Sequence, residues 1–313
     1  MDVVRHRLLP ALLGLALVVS GCGAPSAPSA TGPATGTAAA AKVLLIVEEN
    51  EGYDRVIGSP HAPYLAGLAR QYGLATGLDA GYPVECPSLA AYLILTSGSD
   101  HGICDDDPPA RHPIGGDDVF GQVDRSGRQW RSYAEAMPAP CTLDDAGETF
   151  LVRHVPVSYY VAERSRCAQW DVPLGTPDVG ALHDDLAGGR LPALGVVTPD
   201  ACDDMHGAGT CPDGLVARGD AWLARWMPLV LASPDWRSGA LTVIITWDEG
   251  SGSSNHIPTI VVSPTTRGVE DATPRTHCST LRTVADLLGL PPLGCAAGAA
   301  SMVAAFHLRA ART

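Results

Sequence analysis

Lys42 to Val47 (KVLLIV) runs apolar without alternation after its first residue, the pattern of a strand buried on both faces. Similar short apolar runs occupy Leu194 to Val197, Leu241 to Thr246 and Pro258 to Ser263. Between them the period changes. Residues 63–72 (PYLAGLARQY) space their apolar positions helically and meet Gly73, a stop signal. Residues 88–96 (SLAAYLILT) follow Pro87, keep helical spacing and are closed by Gly98. Residues 219–231 put Trp222, Leu223, Trp226, Leu229 and Val230 on one stripe that reads as core packing. Asp220 is the expected N-cap there, and Pro228 the expected kink or junction between two helices. Residues 279–288 form a last amphipathic helix. Strands alternating with helices predict an α/β fold: a three-layer sandwich around a mostly parallel central sheet.

In such sheets ligands bind beyond the carboxyl ends of the strands. That rule organises the polar residues. The first strand ends in Glu48-Glu49-Asn50, and the strand at 194 is followed by Asp200, Asp203, Asp204 and His206. The strand at 241 stops at Trp247 and delivers Asp248 and Glu249. Three strands, expected to be neighbours, thus bring acids to one edge. Converging carboxylates repel unless a positive charge sits among them, so a bound cation is the economical reading. Strand-end capping and a solvated turn are the plainer alternatives for each pair taken alone.

The N-terminus changes the picture of where this chemistry happens. Arg5, His6 and Arg7 precede an apolar stretch from Leu8 to Val19, and Val19-Ser20-Gly21-Cys22 looks like a bacterial lipobox. Residues 1–21 are expected to be a signal peptide, with Cys22 lipidated and the protein held at the outer face of the cell membrane. An ordinary signal peptide and a secreted protein are the alternative. Residues 23–41 contain only Gly, Ala, Pro, Ser and Thr and read as a flexible tether. Residues 42–313, about 270 in number, suffice for one large domain.

The formal net charge of −13 argues against bulk nucleic-acid or anionic-membrane binding. It leaves room for a small phosphate ester in a pocket whose local field belongs to a metal ion. Of nine cysteines, Cys22 is set aside for lipid and the other eight suggest disulfides, with 105 full pairings open. Proximity along the chain favours 202–211, 278–295 and 141–167, leaving 86–104.

These motifs resemble the bacterial phosphoesterase family that contains acid phosphatases and non-haemolytic-type phospholipases C, within the alkaline phosphatase superfamily. The matching segments are VEENEGYDRVIGSPHAPYL (47–65), CPSLAAYLILTSG (86–98), RSYAEAMPAPC (131–141), VTPDACDDMH (197–206), GDAWLARWMPLVLASPDW (219–236), TVIITWDEG (242–250) and THCSTLRTVADLLGLPPLG (276–294). They run in family order over nearly the whole of 42–307. The resemblance implies an alkaline-phosphatase-like fold and assigns Glu49, Asn50, Asp248 and Glu249 to a divalent metal ion. Mostly oxygen donors favour Ca²⁺, Mg²⁺ or Mn²⁺, with Zn²⁺ less favoured. Ser88 falls on the nucleophile that opens a helix, and Asp204, His206 and His277 on catalytic positions.

Together these imply an exported, metal-dependent phosphoesterase acting through a phosphoseryl intermediate. Its partners would be a phosphate-ester substrate and, through Cys22, the membrane, with no nucleic acid. Ser88 at a helix N-terminus would place free N–H groups and a positive dipole end against the phosphate. The sequence departs from the family pattern beside the nucleophile. Cys86, Ala90 and Ala91 stand where the family usually has His, Pro and Asn, and Cys278 follows His277 in place of an aromatic residue. Ala91 removes an amide donor. The alternative function is therefore a catalytically weak relative that binds a metal and a phosphate ligand. Cys86 and Cys278 both flank site positions, so a rearranged disulfide there is the alternative.

Overall fold

The computed structural model describes residues 41–251 and 254–310. The signal peptide, Cys22 and the tether up to residue 40 lie outside them. The chain lays down β1 (Lys42–Glu48), α1 (Tyr53–Val56), α2 (Pro63–Gln71), β2 (Gly73–Ala75), α3 (Leu89–Ser97), α4 (Val119–Arg125) and β3 (Trp130–Ala134). It continues through α5 (Arg164–Trp170), β4 (Asp171–Pro173), α6 (Ala181–Gly188), β5 (Leu194–Thr198), α7 (Leu215–Ala232) and α8 (Pro234–Arg237). Last come β6 (Leu241–Trp247), β7 (Thr259–Val262), β8 (Val269–Asp271) and α9 (His277–Leu288).

The strands form one sheet in the order β4-β3-β5-β1-β6-β7-β2-β8. Only β7 runs antiparallel to its neighbours β6 and β2; the other pairings are parallel. Every residue of β6 and all but the first of β1 are buried, so both faces of the central sheet are covered, as their unbroken apolar sequences require. The helices fall into two packed sets, α3 with α4 and α9, and α7 with α2, α6 and α8. All nine residues of α3 are buried, which accounts for its lack of a polar stripe. At its end Gly98 adopts φ 75°, where a Cβ would lie 2.5 Å from the Leu293 carbonyl oxygen, so glycine is required there.

Four disulfides close short loops: Cys86–Cys104, Cys141–Cys167, Cys202–Cys211 and Cys278–Cys295. Cys86 and Cys278 each keep the partner that proximity favours, so no rearranged disulfide is formed there. Two local expectations are corrected. Asp220 does not cap its own helix, because α7 begins at Leu215 and already contains it. Its carboxylate instead reaches α2, where Ala62 offers no cap, and accepts from Tyr64 N at 3.1 Å and Leu65 N at 2.8 Å. Of the two readings of Pro228, the junction between helices is excluded, since α7 runs unbroken through it. The proline is exposed while Trp222, Trp226, Met227 and Val230 bury one continuous stripe. Packing outweighs the local cost of about 3 kcal/mol.

Candidate active site

β5, β1 and β6 are neighbours, so the three acidic strand ends emerge side by side. Glu48 lies opposite Trp247 in the parallel register, which aligns Glu49-Asn50 with Asp248-Glu249. Backbone bonds lock the edge. Asp248 N donates to the Glu48 carbonyl at 3.0 Å, and Glu49 N to the Asp204 carbonyl at 2.7 Å. Asn50 takes the left-handed conformation at φ 51°, which asparagine tolerates better than most residues, and its N–H donates to Asp248 Oδ1 at 3.0 Å.

Glu49 sits at the centre, fully buried. Ser88 Oγ donates to its Oε2 at 3.1 Å, and the Tyr92 hydroxyl, one turn along α3, donates to its Oε1. His154 stacks on Tyr92 with ring centroids 5.4 Å apart. Its Nε2 is 3.4 Å from Glu49 Oε1 and its Nδ1 3.3 Å from Asp204 Oδ2. Asp204 Oδ1 accepts from His206 N at 2.7 Å. His206 Nδ1 lies 2.6 Å from the Gly207 carbonyl, which can only accept, so that nitrogen carries the proton and Nε2 the lone pair. Nε2 faces a terminal nitrogen of Arg153 at 3.4 Å.

Not every residue assigned from the sequence enters this cluster. Glu249 turns outward and accepts from the Tyr82 hydroxyl at 2.8 Å. His277 supports the cluster from behind: Nε2 meets the Asp248 carbonyl at 2.5 Å, and burial lowers the imidazole to about 4, so it is neutral with its one N–H committed. From the β5 loop only Asp204 and His206 point in. Asp200 Oδ1 accepts from Cys202 N and Asp203 N within its own turn, and Asp203 is ion-paired with Arg218 and Arg225. Conversely, the sequence assigns Tyr92, Arg153 and Asp106 no site role and leaves His154 only a weak claim beside His206 and His277. The signal was the pair Arg153-His154 embedded in the apolar run LVRHVPV; His154 is only 3% exposed despite its polarity.

Ser88 is not an ordinary N-cap. Its backbone is already helical and its hydroxyl caps nothing. The first turn of α3 is capped instead by Asp106, whose Oδ1 accepts from Leu89 N at 3.1 Å. The serine oxygen is thereby left to Glu49.

Electrostatically the site is overloaded with acids. Burial first, then Asp248 and Asp204, push Glu49 well above the usual carboxylate range. Burial likewise raises Asp204 and Asp248, and together with the Asp248 charge it lifts Glu249 to about 7. Asn50 Oδ1, Asp204 Oδ2, Asp248 Oδ2 and His154 Nε2 are buried without a hydrogen-bond partner. Leaving one such group unsatisfied costs about 1–3 kcal/mol, so several in one place point to a missing positive partner. A divalent cation fits this set, with carboxylate, amide and imidazole donors in reach. Glu49, His154 and His206 each offer a ligand atom within 4.8 Å of the others.

The sequence model of the phosphoesterase family matches residues 59–291. The chain belongs to the phosphoesterase family. The match includes Ser88, Asp204, His206, Asp248, Glu249 and His277. Over 264 residues the chain is 29% identical to the phosphatidylinositol-3-phosphatase of Mycobacterium tuberculosis, covering 83% of this chain and 80% of that one. It is 25% identical over 226 residues to an acid phosphatase of Aspergillus fumigatus, covering 68% of this chain but 48% of that one. In three dimensions it resembles a protein of the alkaline phosphatase superfamily from Vibrio parahaemolyticus at TM-score 0.57 and 12% identity, covering 80% of this chain and 67% of the other. It also resembles the phosphonate monoester hydrolase of Agrobacterium radiobacter at TM-score 0.53 and 14% identity, covering 85% and 77%. At such identities only the fold is shared. The fold is that of the alkaline phosphatase superfamily, and the family and its phosphatase relatives make this phosphoesterase a phosphoric ester hydrolase.

Proposed function

We propose that this phosphoesterase is an exported, metal-dependent enzyme of the acid phosphatase or phospholipase C type that works through a phosphoseryl intermediate on Ser88. The observation that carries the reading is the Ser88–Glu49 hydrogen bond beside unpartnered Asn50, Asp204 and Asp248 oxygens. Glu49, Asn50 and Asp248 would hold the ion, and His154 adds a nitrogen donor that brings Zn²⁺ closer to Ca²⁺, Mg²⁺ and Mn²⁺ than the sequence alone suggested. When bound, such an ion lowers the pKa of a nearby hydroxyl and polarises a phosphoryl oxygen.

The chain's own residues carry the rest. Glu49 Oε2 orients the Ser88 hydroxyl and takes its proton as Oγ attacks phosphorus, and the ester oxygen departs and takes a proton from solvent. The N-terminal turn of α3 presents its dipole to the transferring group. Water then hydrolyses the phosphoserine: His206 Nε2, whose lone pair is set by the Nδ1–H bond to Gly207, accepts the water's proton, and Glu49 returns its proton to the departing Ser88 Oγ. His277 keeps the Asp248 backbone in place.

Export is supported by the lipobox pattern ending at Cys22 and by four disulfides, which persist in oxidising compartments. Hydrolysis of chromogenic phosphate mono- and diesters by residues 42–313, before and after chelation, tests the enzymatic reading. Turnover lost on chelation and regained with a divalent ion is expected. Turnover indifferent to chelation would reject the metal dependence, and no turnover with any ion would reject the enzyme.

A further inference from the structure

Arg153 occupies a place that the reaction as described does not use. Its side chain is 17% exposed, and its Nε lies 3.1 Å from Asp106 Oδ2. Nε makes no aligned hydrogen bond, although it is buried. A terminal nitrogen reaches His206 Nε2 at 3.4 Å, which is a long contact. Among the described residues the guanidinium therefore keeps most of its five donors uncommitted. Its backbone neighbour His154 sits between Glu49 and Asp204, so Arg153 enters from the rim of the same cluster.

Asp106 couples this cation to the nucleophile. One of its oxygens faces Arg153 while the other accepts from Leu89 N, the residue next to Ser88. Asp106 follows Cys104 by two residues, and Cys104 is bonded to Cys86, two residues before Ser88. One disulfide and one carboxylate thus fasten the guanidinium to the turn that carries the serine oxygen. On that turn the side chains after Ser88 are Leu89, Ala90 and Ala91, all buried and none able to donate a hydrogen bond. A phosphoryl group held at Ser88 has non-bridging oxygens that need donors, and the N–H groups after Ser88 are already engaged, Leu89 N by Asp106 and Ala90 N and Ala91 N by the Pro87 and Ser88 carbonyls.

We propose that Arg153, positioned by Asp106, binds the non-bridging oxygens of the phosphoryl group at Ser88 and makes this site selective for dianionic phosphomonoesters over monoanionic diesters. The inference rests on the phosphoesterase reading of Ser88 and names the substrate class for it. An arginine fork binds two oxygens of one phosphoryl group. A monoester offers a second negative charge and an additional terminal oxygen that a diester lacks. A guanidinium in a largely buried site therefore stabilises the monoester more, and the transferring group most of all.

The test compares kcat/KM for 4-nitrophenyl phosphate and bis(4-nitrophenyl) phosphate in the wild type, Arg153→Ala, Arg153→Lys and Asp106→Asn, at equal metal content. Arg153→Ala should lower the monoester value by about 10²–10³-fold, the usual scale for one lost oxyanion donor, and the diester value by about 10-fold at most. Arg153→Lys should recover part of the monoester loss, because charge returns without the fork. Asp106→Asn should move the ratio of the two values in the same direction as Arg153→Ala but less. If Arg153→Ala does not fold, Arg153→Gln carries the same comparison. An equal fall for both esters, or no fall, would overturn the assignment while leaving Ser88 as nucleophile. A wild type that hydrolyses neither ester would overturn the parent reading as well.

Discussion

Ser88 Oγ donates to Glu49 Oε2 at 3.1 Å although the two residues are 39 positions apart and both are buried. The contact joins the first turn of α3 to the end of β1, and it exists because another residue has taken over capping. Asp106 accepts from Leu89 N, so the serine hydroxyl is free to face a carboxylate. The arrangement depends on a loop pinned by Cys86–Cys104.

The double variant Cys86→Ser, Cys104→Ser should therefore lose both stability and rate. Releasing a loop with a sequence separation of 18 is expected to cost about 3 kcal/mol in denaturant unfolding. Turnover should fall as well, because Asp106 is no longer held at the helix terminus. Unchanged turnover at reduced stability would show that other contacts hold Asp106 in place.

Removing the metal should lower the melting temperature. Glu49, Asp204 and Asp248 are buried together, and burial raises all three above the usual carboxylate range, so the folded state without a cation carries crowded acids. An ion present at about 100 times its dissociation constant stabilises by about 2.7 kcal/mol. Scanning calorimetry with and without chelator measures this. Equal melting temperatures in verified metal-free and metal-loaded protein would argue against a cation among these residues.

The parts of this structure that were legible in the sequence share a cause. β1, β5 and β6 are buried on both faces, so their sequences are unbroken apolar runs, and acids at their ends stand out by contrast. β3 (WRSYA) escaped because Arg131 and Ser132 interrupt it; Arg131 is tolerated there by its ion pair with Asp185, which also accepts from Tyr133 at 2.8 Å. β2, β4 and β8 are three residues long and carry too little pattern. Within the site, the residues on strand ends were readable, and those brought in by tertiary contact were not. His154 ends a single 3₁₀ turn (Val152–His154) and Asp106 lies on a loop, neither with a pattern of its own, and Asp220 caps a helix 155 residues away.

Asp118 supplies a pH-dependent prediction remote from the site. It caps α4 by accepting from Gly121 N at 2.8 Å, and burial raises its carboxyl from 3.8 to about 7. The folded state then binds a proton more readily than the unfolded chain, so its contribution is full below pH about 4 and lost as pH rises through about 7. Asp118→Asn keeps an acceptor and removes the titration. Its stability relative to the wild type should rise by about 2–4 kcal/mol across that interval. A difference independent of pH in urea melts would contradict the assignment.

The proposed anchor predicts that Cys22→Ala releases the protein from the membrane fraction or blocks its processing. Fractionation with immunoblotting reads both. A variant that stays membrane-bound at the processed size would rule out lipid on Cys22.

The most direct measurement is turnover of a phosphate ester by Ser88→Ala beside the wild type, with metal content and melting temperature determined on the same samples. The hydroxyl caps nothing in α3 and is a single small group, so folding and bound metal should be close to wild type. The rate should fall by roughly 10⁴-fold or more, as for other removed nucleophiles. Wild-type turnover retained in the folded, metal-loaded Ser88→Ala protein would contradict a phosphoserine mechanism.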